Sequence, residues 1–155
     1  MNMKIAVASD HAAYQLKDFV VNYIREKGHS VVDFGPESGE RSVDYPDYAD
    51  KVCKSVTTGD SDFGVLLCGT GIGMSIAANK YRGVRAALCL FPEMAALARR
   101  HNHANVLVLG GRLIGSELAG WIVEAFLAST EEGGRHQVRV DKLETGPSGD
   151  RVNGN

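Results

Sequence analysis

The chain has 155 residues, 44% of them hydrophobic and 23% charged, with a formal net charge of -2. That is the size and balance of one ordinary soluble domain with a real core, and it offers no overall electrostatic pull toward nucleic acid or membrane. No apolar run approaches the roughly 20 residues of a membrane span, and the opening MNMKIAVASD lacks the apolar stretch of a signal peptide, so a cytoplasmic address is expected.

Strand and helix patterns alternate from the start. Residues 4–9 (KIAVAS) read as an apolar strand, and 13–27 as a helix that Asp10 can N-cap and Gly28 can end. A strand over 30–34 leads to a helix over 45–56, with Pro46 in its first turn after Asp44. Residues 63–68 (FGVLLC) form the third strand and 74–81 the third helix. A strand over 85–90, a helix over 92–101 opened by Pro92, a strand over 106–109 and a helix over 116–128 complete the series. Such alternation predicts an α/β fold: a parallel sheet covered by helices on both faces through right-handed crossovers. One domain over 1–145 accounts for the pattern. Residues 146–155, rich in Gly, Ser and Asn, read as a flexible tail.

In open α/β sheets, ligands bind beyond the carboxyl ends of the strands. Three stretches lie there: Ser9-Asp10-His11, Cys68 to Ser75, and Gly110 to Arg112. The middle one, LLCGTGIGMSIAANK, is rich in glycine but fits neither nucleotide motif. GxGxxG would need glycine where Met74 stands and would follow the first strand; GxxxxGK[ST] does not occur. What remains is either a loop whose backbone N–H groups can approach an anionic ligand closely or a tight strand-to-helix turn.

Three cysteines without CxxC spacing argue against a disulfide framework or a cysteine zinc site. Cys53 and Cys89 fall on core positions. Cys68 alone stands at a strand's functional end, beside a helix start, where thiols ionise more readily. RRHNHAN carries His101, Asn102 and His103, but its HxH pair has no third ligand at characteristic spacing, so no metal is expected. Arg135 and Arg139 are four apart, on one face if that segment is helical, and Arg112 follows a strand end; guanidinium forks suit a phosphate dianion. The telling feature is the combination of a thiol, an anion-holding loop, histidine and arginines.

Five stretches, SDHAAYQLK, VDYPDYA, CGTGIGMSIAANK, RRHNHANVLVLGGR and EGGRHQVR, run in this order through Arg139. In them the chain resembles the type B ribose-5-phosphate isomerase family, with its galactose-6-phosphate and allose-6-phosphate isomerase relatives. The resemblance implies a Rossmann-like three-layer α/β/α sandwich with a five-stranded parallel sheet and no cofactor. It also implies a homo-oligomer, a dimer or dimer of dimers, with active sites between subunits. Cys68 would be the base moving a proton between C1 and C2 of the sugar. Gly69, Thr70, Gly71, Ile72 and Gly73 would hold the developing enediolate oxygens. His101 would assist ring opening, with Asp10 and Thr70 in support. His11, Arg112, Arg135 and Arg139 would bind phosphate, and Asn102 a sugar hydroxyl. The residues around His101 would come from the neighbouring subunit.

Two departures stand out. His103 occupies a spot where relatives often carry aspartate. The tail after Arg139 follows no family pattern. Some relatives also take their base from a glutamate near the end of the loop, where this chain has Met74 and Ser75, which cannot serve as bases. The expected activity is metal-free interconversion of ribose 5-phosphate and ribulose 5-phosphate. The alternatives are isomerisation of a six-carbon sugar phosphate and a non-catalytic sugar-phosphate-binding module.

Overall fold

A computed structural model describes residues 1–146. Beyond Gly146, the expected flexible tail lies outside the described residues. The elements are β1 (Lys4–Ser9), α1 (Tyr14–Glu26), β2 (Ser30–Asp33), α2 (Tyr45–Thr57), β3 (Phe63–Cys68), α3 (Ile72–Ala78), β4 (Ala86–Leu88), α4 (Pro92–Asn102), β5 (Val106–Gly110), α5 (Ser116–Ala128) and α6 (Arg135–Thr145). All strand pairs are parallel, in the order β2-β1-β3-β5-β4. The chain winds outward from β1 to β2, then returns to the other side of β1 to lay down β3. β1 and β3 therefore flank the point where winding reverses, the usual place for a ligand in such sheets.

Side chains alternate across the sheet. Ile5, Val7, Val65, Leu67, Leu107 and Leu109 pack with α1, α4 and α5. Ala6, Ala8, Leu66, Cys68, Val106 and Val108 pack with α2 and α3. The second layer sits close because its strand residues are small; a Cβ on Gly64 would lie 2.5 Å from Val52 Cγ1. On the first layer, fully buried Phe126 meets Phe63 edge-on, with ring centroids 5.8 Å apart.

The sequence boundaries need four corrections. β2 and β4 are shorter than predicted, as edge strands with a ladder on one side only. α3 begins at Ile72 because Gly71, with φ +80°, turns the chain into it. Cys89 falls just past β4, although its N–H still donates to Val108 O at 3.1 Å. Asp10 is not the N-cap of α1. That position is Ala13, and Asp10 Oδ1 accepts the Ala13 N–H at 3.1 Å across the intervening turn. The segment containing Arg135 and Arg139 is helical, as α6.

Candidate active site

Three turns meet at the carboxyl ends of the central strands. Cys68 pairs in register with Gly110, and Leu67 with Ser9. The Gly111 N–H donates to Cys68 O (2.8 Å) and the Arg112 N–H to Gly69 O (2.9 Å), tying the end of β5 to the glycine loop. Absent side chains allow this meeting. A Cβ on Gly110 would sit 2.7 Å from Thr70 O, and one on Gly111 would sit 2.7 Å from Ala13 Cβ. Arg112 lies over Gly69, its Nη1 3.2 Å from where a Cβ would be. Asp10 and His11 complete this end from the turn after β1.

The loop itself is rich in free donors. Ile72 N–H is satisfied by Thr70 Oγ1 at 3.2 Å. Among the described residues, the N–H groups of Gly69, Thr70, Gly71 and Gly73 donate to no protein acceptor. An array of unpaired amides beside a strand-end thiol is a place for developing negative charge. Cys68 is 5% exposed. Cys53 and Cys89 are more deeply placed, and burial pushes their thiols up to about 12 and about 11. Both therefore stay protonated at neutral pH, as their core reading required.

A second group lies at the opposite end of the sheet. α4 runs back from β4 toward the start of β5, so His101 and Asn102 occupy its last turn there. His101 stacks on His136 of α6, with centroids 4.1 Å apart and planes 1° from parallel. Glu132 Oε2 is 3.6 Å from Nε2 of each ring, and Glu132 Oε1 accepts from Arg100 Nε at 2.7 Å. The Arg100 hydrogen bond holds the Glu132 carboxyl below the usual carboxylate range. Burial, together with the charges of His101 and Arg135, holds His136 below its ordinary value. Arg135 and Arg139 lie exposed on α6 beside this cluster. His103 is buried, its Nε2 2.8 Å from Glu132 O. It secures the segment before α6.

His101, Glu132 and His136 bring three potential metal ligands within 4.8 Å of one another. Their geometry suits an ion poorly. Parallel stacked rings direct their lone pairs side by side, whereas a tetrahedral ion needs them to converge, and the Arg100 guanidinium on Glu132 Oε1 already balances the carboxylate's charge, leaving only Oε2 toward the rings.

The structure thus divides the expected site residues into two halves. Asp10, His11, Cys68 to Gly73 and Arg112 gather at one end; His101, Asn102, Arg135 and Arg139 gather at the other. Gly64, paired with Val106 at the start of β5, is four residues upstream of Cys68, roughly 13 Å at the rise of a strand. One chain does not bring the halves together.

His136 and Glu132 were not legible as site residues in the sequence: their i, i+4 spacing in EEGGRH was the available signal, and only the fold brings them to His101. Tyr45, read only as a helix start, was missed as well. Its ring lies against Gly73, where a Cβ would come within 2.6 Å.

The profile of the family described as Ribose/Galactose Isomerase matches residues 5–143. Ribose-5-phosphate isomerase B of Escherichia coli is 49% identical over 140 residues, covering 90% of this chain and 93% of that protein. The structure superposes on a ribose 5-phosphate isomerase from Thermotoga maritima with a TM-score of 0.90 and 63% identity, over 92% of this chain and 98% of that one. It also matches ribose-5-phosphate isomerase B of Mycoplasma genitalium, solved with bound ribulose-5-phosphate, with a TM-score of 0.87 and 44% identity, over 92% and 95% of the two chains. By sequence and by fold, this chain belongs to the ribose/galactose isomerase family.

Proposed function

We propose that this protein interconverts ribose 5-phosphate and ribulose 5-phosphate through an enediolate, with no step routed through a metal or cofactor. The observation that carries the reading is Cys68 beside four unpaired loop amides at the point where the sheet reverses its winding. Isomerisation of an aldose to a ketose removes a weakly acidic proton from C2 and returns it to C1, while the hydroxyl proton passes from O2 to O1. Negative charge builds on the neighbouring oxygens meanwhile. Cys68, as thiolate, takes and returns the proton. The loop N–H groups receive the oxyanion, each such donor being worth about 3 kcal/mol in a dry site. His101 moves the proton that opens the furanose ring, with Asp10 and Thr70 supporting the reacting end. His11, Arg112, Arg135 and Arg139 hold the phosphate, and Asn102 a hydroxyl. Binding energy at the remote phosphate is spent on orienting the reacting carbons.

Two copies of the chain complete the site. A two-fold axis that sets the Cys68 end of one protomer against the His101 end of its partner creates two identical composite sites. Exposed apolar side chains support such pairing at both ends: Ile72, Ile76, Phe91 and Leu113 near the glycine loop, and Val138 and Leu143 on α6.

The test is a chelator-treated assay of ribose 5-phosphate against allose 6-phosphate and galactose 6-phosphate. The highest kcat/KM is expected with the pentose. A preference for either hexose would move the assignment to the six-carbon branch, and turnover of none would leave a binding module.

A further inference from the structure

Lys17 is an unusual core residue. It is 1% exposed, on α1, with its Nζ 2.8 Å from Asp33 Oδ2, 3.4 Å from Asp18 Oδ1 and 5.1 Å from the centroid of the Tyr14 ring. A buried ion pair is weak evidence for stability, because desolvation consumes much of its attraction. What it secures here is geometry. Asp33 ends β2, and its other oxygen accepts the Gly35 N–H at 2.8 Å. Gly35 O then accepts the Ser9 N–H at 3.0 Å, one residue before Asp10.

The segment 34–44 is thus pinned at its start by the Lys17–Asp33 pair. Its middle lies against the turn after β1: a Cβ on Gly39 would stand 3.1 Å from Tyr14 Cβ and 3.2 Å from His11 O. Its end reaches His11 directly, where the Val43 N–H donates to Nδ1 at 3.1 Å. An imidazole accepting at Nδ1 carries its proton on Nε2, so His11 is held as a donor from Nε2. A cavity of about 800 Å³ opens beside it, lined by His11, Tyr14, Ser38, Gly39 and Gly111.

We propose that Lys17, through Asp33 and the segment 34–44, is a positioning residue that fixes the tautomer and orientation of His11. The consequence for phosphate binding rests on the reading of His11 given above.

The decisive readout is nitrogen NMR of the histidine side chains in the full-length enzyme, with His11 identified by the signal missing in His11→Asn. In the unmodified protein, His11 should show the Nε2–H tautomer. In Lys17→Met it should show an average of the two tautomers, with KM for ribose 5-phosphate raised about tenfold, as for one lost hydrogen bond to a charged group, and kcat kept within about twofold. Lys17→Arg should recover the tautomer. Should Lys17→Met not fold, Asp33→Asn carries the test, since it breaks the pair at constant volume on a half-exposed side chain. An unaltered His11 tautomer in the folded variants overturns the proposal. A changed tautomer with KM unmoved, and KM equally unmoved in His11→Asn, upholds the positioning and removes His11 from the phosphate site instead.

Discussion

Subunit complementation tests the division of the site into two halves. Cys68 closes β3 at one end of the sheet and His101 lies in the last turn of α4 at the other, with at least four residues of strand between their levels. That is roughly 13 Å before the distance from strand to helix is added, too far for both groups to touch one sugar. Cys68→Ala and His101→Asn should each be nearly inactive, since a lost acid or base costs about a hundredfold or more. Two differently tagged chains, one with each substitution, are co-expressed and the mixed pair is purified. In a two-fold dimer, both substitutions fall in one composite site, leaving the other intact. The mixed pair should therefore regain about half of the unmodified activity per dimer. Activity no greater than that of either parent would mean that each chain builds its own site, and the composite geometry would be wrong.

The glycine loop makes its own demand on stability. Gly71 has φ +80°, and an added Cβ would overlap Leu88 and stand 3.2 Å from the Leu109 carbonyl carbon. Gly71→Ala should lose about 1–2 kcal/mol to left-handed backbone strain and about 1–3 kcal/mol more to overpacking, read as a lower urea midpoint. Gly59→Ala, at the same φ in open space, should lose only the strain; equal midpoints for the two variants would refute the packing argument. Glu132 supplies a pH test. Its carboxyl is held below the usual carboxylate range, first by the Arg100 hydrogen bond. Between the folded and the unfolded pKa values the folded form thus binds fewer protons than the unfolded one, and the stability contributed is complete above the unfolded value and lost as pH falls through the folded value. Urea midpoints between about pH 5 and pH 3 should fall more steeply for the unmodified protein than for Glu132→Gln; parallel slopes would contradict the ion pairing.

The sequence revealed the layers because alternation is written residue by residue. FGVLLC and VLVL read as strands covered on both faces, and Pro46, Pro92 and Gly28 mark helix boundaries where the structure has them. Strand order was hidden, because spacing says that a crossover exists but not which edge it joins. The glycines and the strand-end place of Cys68 were legible in the sequence, but whether the loop holds an anion or only turns the chain was not. The separation of His101 from Cys68 was implied only by the family resemblance, not by the residues themselves: its helix runs antiparallel to the strands, a fact of topology that carries it away from Cys68. Lys17 was equally hidden, since in YQLKDF it reads as a solvated helix face until Asp33 is brought beneath it.

The most direct measurement is ribulose 5-phosphate formation from ribose 5-phosphate by the unmodified protein and by Cys68→Ala, under identical conditions and with circular dichroism confirming the fold. The account predicts turnover that disappears in the variant, while the variant still binds the sugar phosphate through arginines it has not lost. Turnover that persists in Cys68→Ala would contradict the assignment of the proton transfer to Cys68.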